Sequence, residues 1–206
     1  MCYMPLQLLP LILIASSDFQ LPELRLEPQL AVFNTFVEPN EEPELNEKTL
    51  GWGDEGTWRW GVHGGYAEEL KNNENELILL GVEFDYFIAN NLSLDIGLNL
   101  LNVTQIGDNT DGVNFTLQLR WHAIAKEKWS FFLEGGAGLM LTDNNVPQNG
   151  SDFNFTPQAG LGFSFDAGDQ SRWLIGLRWH HISNANTHRT NPGRDSLMFW
   201  AGVSFP

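Results

Sequence analysis

Residues 152–166 read DFNFTPQAGLGFSFD, and they alternate without a break: Phe153, Phe155, Pro157, Ala159, Leu161, Phe163 and Phe165 against Asn154, Thr156, Gln158, Gly160, Gly162 and Ser164. A strand turns successive side chains to opposite faces, so this stretch predicts one strand with one apolar face. The same texture extends in both directions from it. Val113, Phe115, Leu117, Leu119 and Trp121 oppose Asn114, Thr116, Gln118, Arg120 and His122. Ile78, Leu80, Val82, Phe84, Tyr86 and Ile88 oppose Glu83 and Asp85, and Leu92, Leu94, Ile96, Leu98 and Leu100 oppose Ser93, Asp95 and Asn99. Eight strands follow, at 57–69, 76–89, 92–105, 112–125, 129–142, 152–166, 171–183 and 195–205. Each is near or above the ~9–11 residues that a tilted strand needs to cross a bilayer.

Tight connectors at Asn90-Asn91, Lys126-Glu127-Lys128 and Gly168-Asp169 alternate with longer polar ones such as KNNENE, IGDNTDG, DNNVPQNGS and NANTHRTNPGR. This is the pattern of an all-β, eight-stranded antiparallel up-and-down transmembrane β-barrel, with short turns at one rim and longer loops at the other. A soluble barrel with its apolar face turned inward shares the alternation. The polar face decides for the membrane form, being largely Gly, Ser, Thr, Asn and Gln where a soluble exterior needs Lys and Glu. Trp58, Trp129, Phe153 and Trp173 near strand ends suit interfacial girdles.

The 206-residue chain fits one such domain, at 57–206, with appendages. Residues 1–17 carry an apolar run from Leu6 to Ile14 followed by Ala15, Ser16 and Ser17, as in a secretory signal peptide. Residues 18–56, with EPNEEPELNEK, read as an acidic, Pro/Glu-rich disordered spacer. A net charge of −15 excludes nucleic acid as a partner, since phosphate backbones are bound by basic patches. The single cysteine, Cys2, excludes a disulfide framework and a thiol nucleophile in the body.

The seventh strand raises a chemical question, because Trp173, Ile175, Leu177 and Trp179 are continued on the same face by His181 and Ser183. Polar residues extending a lipid-facing stripe need a use. Parity on the last strand adds Asp195 to the face of Leu197, Phe199, Ala201 and Val203, and facing residues of adjacent strands lie within ~5 Å. Imidazole can take the proton of a serine while a carboxylate fixes its tautomer, the logic of a Ser-His-acid triad. Asn184 is the expected oxyanion donor. His180 and Arg178 have the opposite parity and point into the lumen, where His63 and His122 are expected as well. No set of His and carboxylates has the spacing of a metal site, and no cofactor is implied.

HISNAN, followed by NPGRDSL and a final strand, resembles the PagL-type lipid A 3-O-deacylases, a family of outer-membrane barrels with a His-x-Ser motif and an acid twelve positions beyond the serine; here Ser183 is followed at that offset by Asp195. The resemblance implies His181 as base, Ser183 as nucleophile, Asp195 as orienting acid and Asn184 as an oxyanion contributor. It implies a bacterial outer-membrane esterase that acts on lipid A of lipopolysaccharide in the outer leaflet. Arg189 and Arg194 are then candidates to meet the lipid A phosphates. The sequence departs from the family at two points: the acid is often Glu, and the residue after Ala185 is often Gly where this chain has Asn186. A non-catalytic structural or adhesin-like barrel, and acyl transfer to an acceptor other than water, stay open at this point, as does self-association.

Overall fold

The computed structural model describes residues 51–71 and 74–206; the segment read as a signal peptide and most of the acidic spacer lie outside them. Among the described residues there is no helix, and nine strands follow one another: β1 (Trp58–Glu69), β2 (Glu76–Ala89), β3 (Leu92–Thr104), β4 (Thr110–Ala125), β5 (Trp129–Val146), β6 (Ser151–Phe155), β7 (Gln158–Gly168), β8 (Ser171–Ile182) and β9 (Arg194–Phe205). All pairings are antiparallel, and β1 pairs with β9, so the sheet closes. Closure leaves no unpaired edge, the condition for putting a sheet into lipid.

The ring has eight places and nine strands because the stretch 152–166 is interrupted where one strand was expected. β6 and β7 lie end to end along β5, with Phe155 opposite Leu139 and Gln158 opposite Gly136. The break falls at Thr156-Pro157, and proline has no N–H to give to the ladder. Thr156 still exchanges both backbone bonds with Gly138, at 2.9 and 3.1 Å, so parity continues across the gap. β5 also runs past residue 142 to Val146, taking part of the expected loop into the hairpin.

The outward face is the apolar one. Leu80, Leu100, Phe115, Trp121, Phe163 and Phe199 are exposed, as are Trp58, Trp129, Phe153 and Trp173 at the strand ends. The buried face holds Arg59, Glu83, Asp85, Asp95, Arg120, Glu134, Arg172 and Arg178. A soluble barrel would have the two faces exchanged, so this arrangement rules that alternative out. The lumen is filled. Arg120 sits at its centre, bonded to both oxygens of Glu83 at 3.2 Å and to Glu134 at 3.3 Å, with Asp95 at 3.2 Å. Arg178 joins Glu134 at 2.8 Å, and the Trp200 indole N–H donates to the same carboxylate at 3.1 Å. His63 and His122 are lumen members as expected, on Asn99 and Ser130. Ala67, Leu77, Val103, Met140, Val146, Ile182 and Met198 bury an apolar layer toward the rim of longer loops.

Residues 51–56, assigned from sequence to the spacer, pack against the rim of short turns. Trp52 meets His122 edge-on at 4.8 Å and takes the Arg172 guanidinium over its face at 4.0 Å, while Gly53 C=O accepts from Asn91 N–H. Glu83, Asp85 and Asp95 come within 4.8 Å of one another, a grouping the sequence reading did not single out for metal. Arg120 reaches all three, so the cation among them is a guanidinium.

Candidate active site

At the rim of longer loops, β8 and β9 bring His181 directly opposite Asp195. The backbone explains how a short acid reaches. His181 N–H donates to Pro157 C=O on the β7 side at 3.0 Å, and Asp195 C=O accepts from Leu70 N–H on the β1 side at 2.8 Å. The two residues therefore turn their backbone groups away from each other and form a non-hydrogen-bonded pair, whose Cα atoms lie closer (about 4.5 Å) than those of a hydrogen-bonded pair (about 5.5 Å). Asp195 Oδ1 lies 2.8 Å from His181 Nδ1. The missing methylene of the family's Glu is offset by the pairing type. With Nδ1 committed, Nε2 is the nitrogen left to act as base.

Two more contacts complete this pair. Asp195 Oδ1 also accepts from the Trp179 indole N–H at 3.2 Å, and the Trp179 ring stacks beside the imidazole with centroids 5.7 Å apart and planes 24° apart. Gly193, at φ 64°, lies against the free edge of the ring, where a Cβ would stand 3.4 Å from Cε1.

Ser183 shares the outward face with His181 one pleat further on, and its backbone forms a two-way bridge with Phe155 at 2.7 and 3.1 Å. Its hydroxyl does not hydrogen-bond His181; the structure brings His181 and Asp195 together and places Ser183 beside them. In unliganded sites such bonds are often long and tighten around substrate.

Past Ser183 the chain leaves the sheet. Ala185 and Asn186 adopt φ of 50° and 63°, so Asn186 takes the left-handed conformation that glycine adopts most freely. Asn184 holds this turn together. Its Nδ2 donates to Thr190 C=O at 2.7 Å, its Oδ1 accepts from Asn186 N–H at 3.0 Å, and its own N–H donates to Asn191 Oδ1 at 3.0 Å. Asn184 is 1% exposed, and both ends of its carboxamide bond within the loop. Asn191 was missed by the sequence reading. Its Oδ1 is anchored, and its NH2 group donates to no acceptor among the described residues, as is true of the Ala185 N–H.

Arg189 is exposed in this loop. Arg194 is not: it is 2% exposed, on the lumen side of β9, with Glu69 4.0 Å from its Nε. Since Asp195 faces out, period two forces Arg194 in, and it is withdrawn as a phosphate ligand.

The family model for PagL, lipid A 3-O-deacylase, matches residues 44–204. Among solved structures, the outer membrane enzyme PagL is 20% identical, with 71% of this chain and 99% of that chain covered at a TM-score of 0.57. Neisserial surface protein A is 15% identical, with 72% and 94% covered at a TM-score of 0.54. At these identities both likenesses are of fold. No curated protein matches the chain.

Proposed function

The chain belongs to the PagL lipid A 3-O-deacylase family, and on that premise we propose that it is a serine esterase that removes the 3-O-linked acyl chain of lipid A. It is an outer-membrane protein, as its family and its outward apolar face require. The observation that carries the reading is the His181–Asp195 pair at 2.8 Å on the lipid-facing wall, one pleat from Ser183. A hydrogen-bonded polar pair placed there has no folding task that a leucine would not serve better.

In the proposed reaction His181 Nε2 takes the proton of Ser183 Oγ as that oxygen attacks the ester carbonyl. The tetrahedral oxyanion receives the Ala185 N–H and the Asn191 NH2, donors that the loop leaves unused. Collapse breaks the bond to the sugar oxygen, which leaves as an alcohol with the proton held by His181. Water, deprotonated by the same nitrogen, then attacks the acyl-enzyme and releases a fatty acid. Asp195 stays ionised throughout and stabilises the imidazolium. Transfer to a second alcohol would follow the same first half. An external site suits a substrate that diffuses laterally in the outer leaflet and never enters the filled lumen.

The test is mass spectrometry of lipid A incubated in detergent with the refolded protein and, in parallel, Ser183→Ala. Loss of one 3-O-linked hydroxyacyl chain and its appearance as free acid, with the parent alone, is the expected result. Unchanged lipid A with a parent that migrates as a heat-modifiable barrel would sink the proposal.

A further inference from the structure

Trp179 precedes His181 by two residues on the outward stripe of β8 and reads from sequence as one more lipid-facing aromatic. Its contacts say otherwise. An interfacial tryptophan leaves its N–H to water and headgroups, whereas here that N–H is spent on Asp195 Oδ1 at 3.2 Å, the same oxygen that holds His181 Nδ1 at 2.8 Å. Its ring is also nearly parallel to the imidazole, at 24°.

We propose that Trp179 is a positioning residue for the reaction inferred above, fixing the carboxylate of Asp195 and the plane of His181 through one indole. The inference rests on that reading of the site. The Asp195 side chain is 33% exposed, so its carboxylate has water as a competing partner. Two donors converging on one oxygen select the rotamer that faces the imidazole and disfavour those that face solvent. The stacked indole blocks one side of the ring, and Gly193, the residue beside its free edge, leaves room for it to swing unless the carboxylate holds it. A longer Glu would fold back to His181 with its own flexibility; Asp195 has one fewer torsion and is aimed by its neighbour instead. Trp179 thus acts with Asp195 as a pair, the backbone pairing setting the reach of the short acid and the indole setting its aim.

The experiment compares the parent, Trp179→Phe, Asp195→Glu and the double variant Trp179→Phe/Asp195→Glu, all checked for heat-modifiable folding. Two rates are read: 3-O-deacylation of lipid A, resolved into kcat and KM, and covalent labelling of Ser183 by a fluorophosphonate, which needs the activated serine but not lipid A. Phenylalanine keeps the stacking and removes the N–H. The expected result is a kcat lower by roughly tenfold at unchanged KM, the loss of one hydrogen bond to a charged acceptor, with labelling slowed by a similar factor. The double variant should recover most of both rates, because the longer acid no longer needs the indole. Parent-like rates in Trp179→Phe, a loss confined to KM, or slowed deacylation with unchanged labelling would each overturn the inference. A parent that labels at Ser183 but leaves lipid A intact removes the substrate assignment alone, and Trp179 is then judged on the labelling rates. Absence of labelling at Ser183 in the parent removes both.

Discussion

Arg194 and Asp195 are neighbours in the chain and opposites in the wall, one closing the lumen and the other completing the external site. The Arg194 guanidinium makes no hydrogen bond among the described residues and has only Glu69 near it, at 4.0 Å. A buried charge so thinly compensated carries a desolvation cost that little repays, and the Glu69 carboxylate that its removal would leave behind keeps a hydrogen bond from Asn75. Arg194→Met should therefore leave the KM for lipid A unchanged and should not lower the thermal midpoint. Arg189, exposed in the loop, should behave in the opposite way: Arg189→Ala raises KM several-fold at low ionic strength, and the difference shrinks as salt screens the phosphate contact. KM measured across a sodium chloride series for both variants checks this. The shared face of His181, Ser183 and Asp195 was legible because side chains repeat with period two along a strand. The same rule sends Arg194 inward, away from the loop surface on which Arg189 lies. The part Asn184 plays in its turn was not legible, because it depends on bonds to Thr190, Asn186 and Asn191, and spacing does not encode these.

Strands were readable because each has one face in lipid and one in a polar lumen, a contrast that alternation reports directly. The interruption at Pro157 was not, since Thr156 keeps its bonds to Gly138 and the alternation passes through unshifted. What alternation also omits is the size of the lumen-facing residues. Gly176 on β8 faces inward against the Trp200 indole, and a Cβ there would lie 2.5 Å from Trp200 Nε1, the atom that donates to Glu134. Trp200 is among the largest fully buried side chains. Gly176→Ala should therefore destabilise the barrel by ~1–3 kcal/mol, the usual penalty for overpacking. The reading is a lower urea midpoint in detergent at unchanged slope. In a Trp200→Leu background the same alanine should cost much less, and an equal cost in both backgrounds would show that the glycine serves the backbone and not the indole.

Among the described residues the barrel inverts the usual arrangement, with most of its large apolar side chains outside and a network of charged groups in its lumen. Lipid contact alone does not specify this ring, because an apolar face is equally at home against any membrane-spanning neighbour; the packed ion network has to supply the specificity. Four carboxylates, from Glu83, Asp85, Asp95 and Glu134, gather around Arg120, and Arg178 supports only Glu134 directly. Arg120 also places its guanidinium 5.3 Å from the ring centroids of both Phe132 and Trp200, joining the ion network to the aromatic packing. Removing one member of a buried pair costs about 3–5 kcal/mol, since the partner is left charged and unmatched. Arg120→Met leaves several such partners at once, so a loss of at least that size, or failure to refold into detergent, is expected. The sign of its pH dependence follows from the charges. Acid protonates the orphaned carboxylates and relieves their repulsion in the variant, whereas in the parent it removes the charges that Arg120 needs. The stability gap between the two should therefore narrow as pH falls, measured by urea unfolding at stepped pH. Per folded molecule, deacylation and Ser183 labelling should be unchanged, because Arg120 touches no residue of the external site. A gap that stayed constant in acid would mean that the carboxylates hold the same protons with and without Arg120, and that the network is held by hydrogen bonds between acids more than by its arginine.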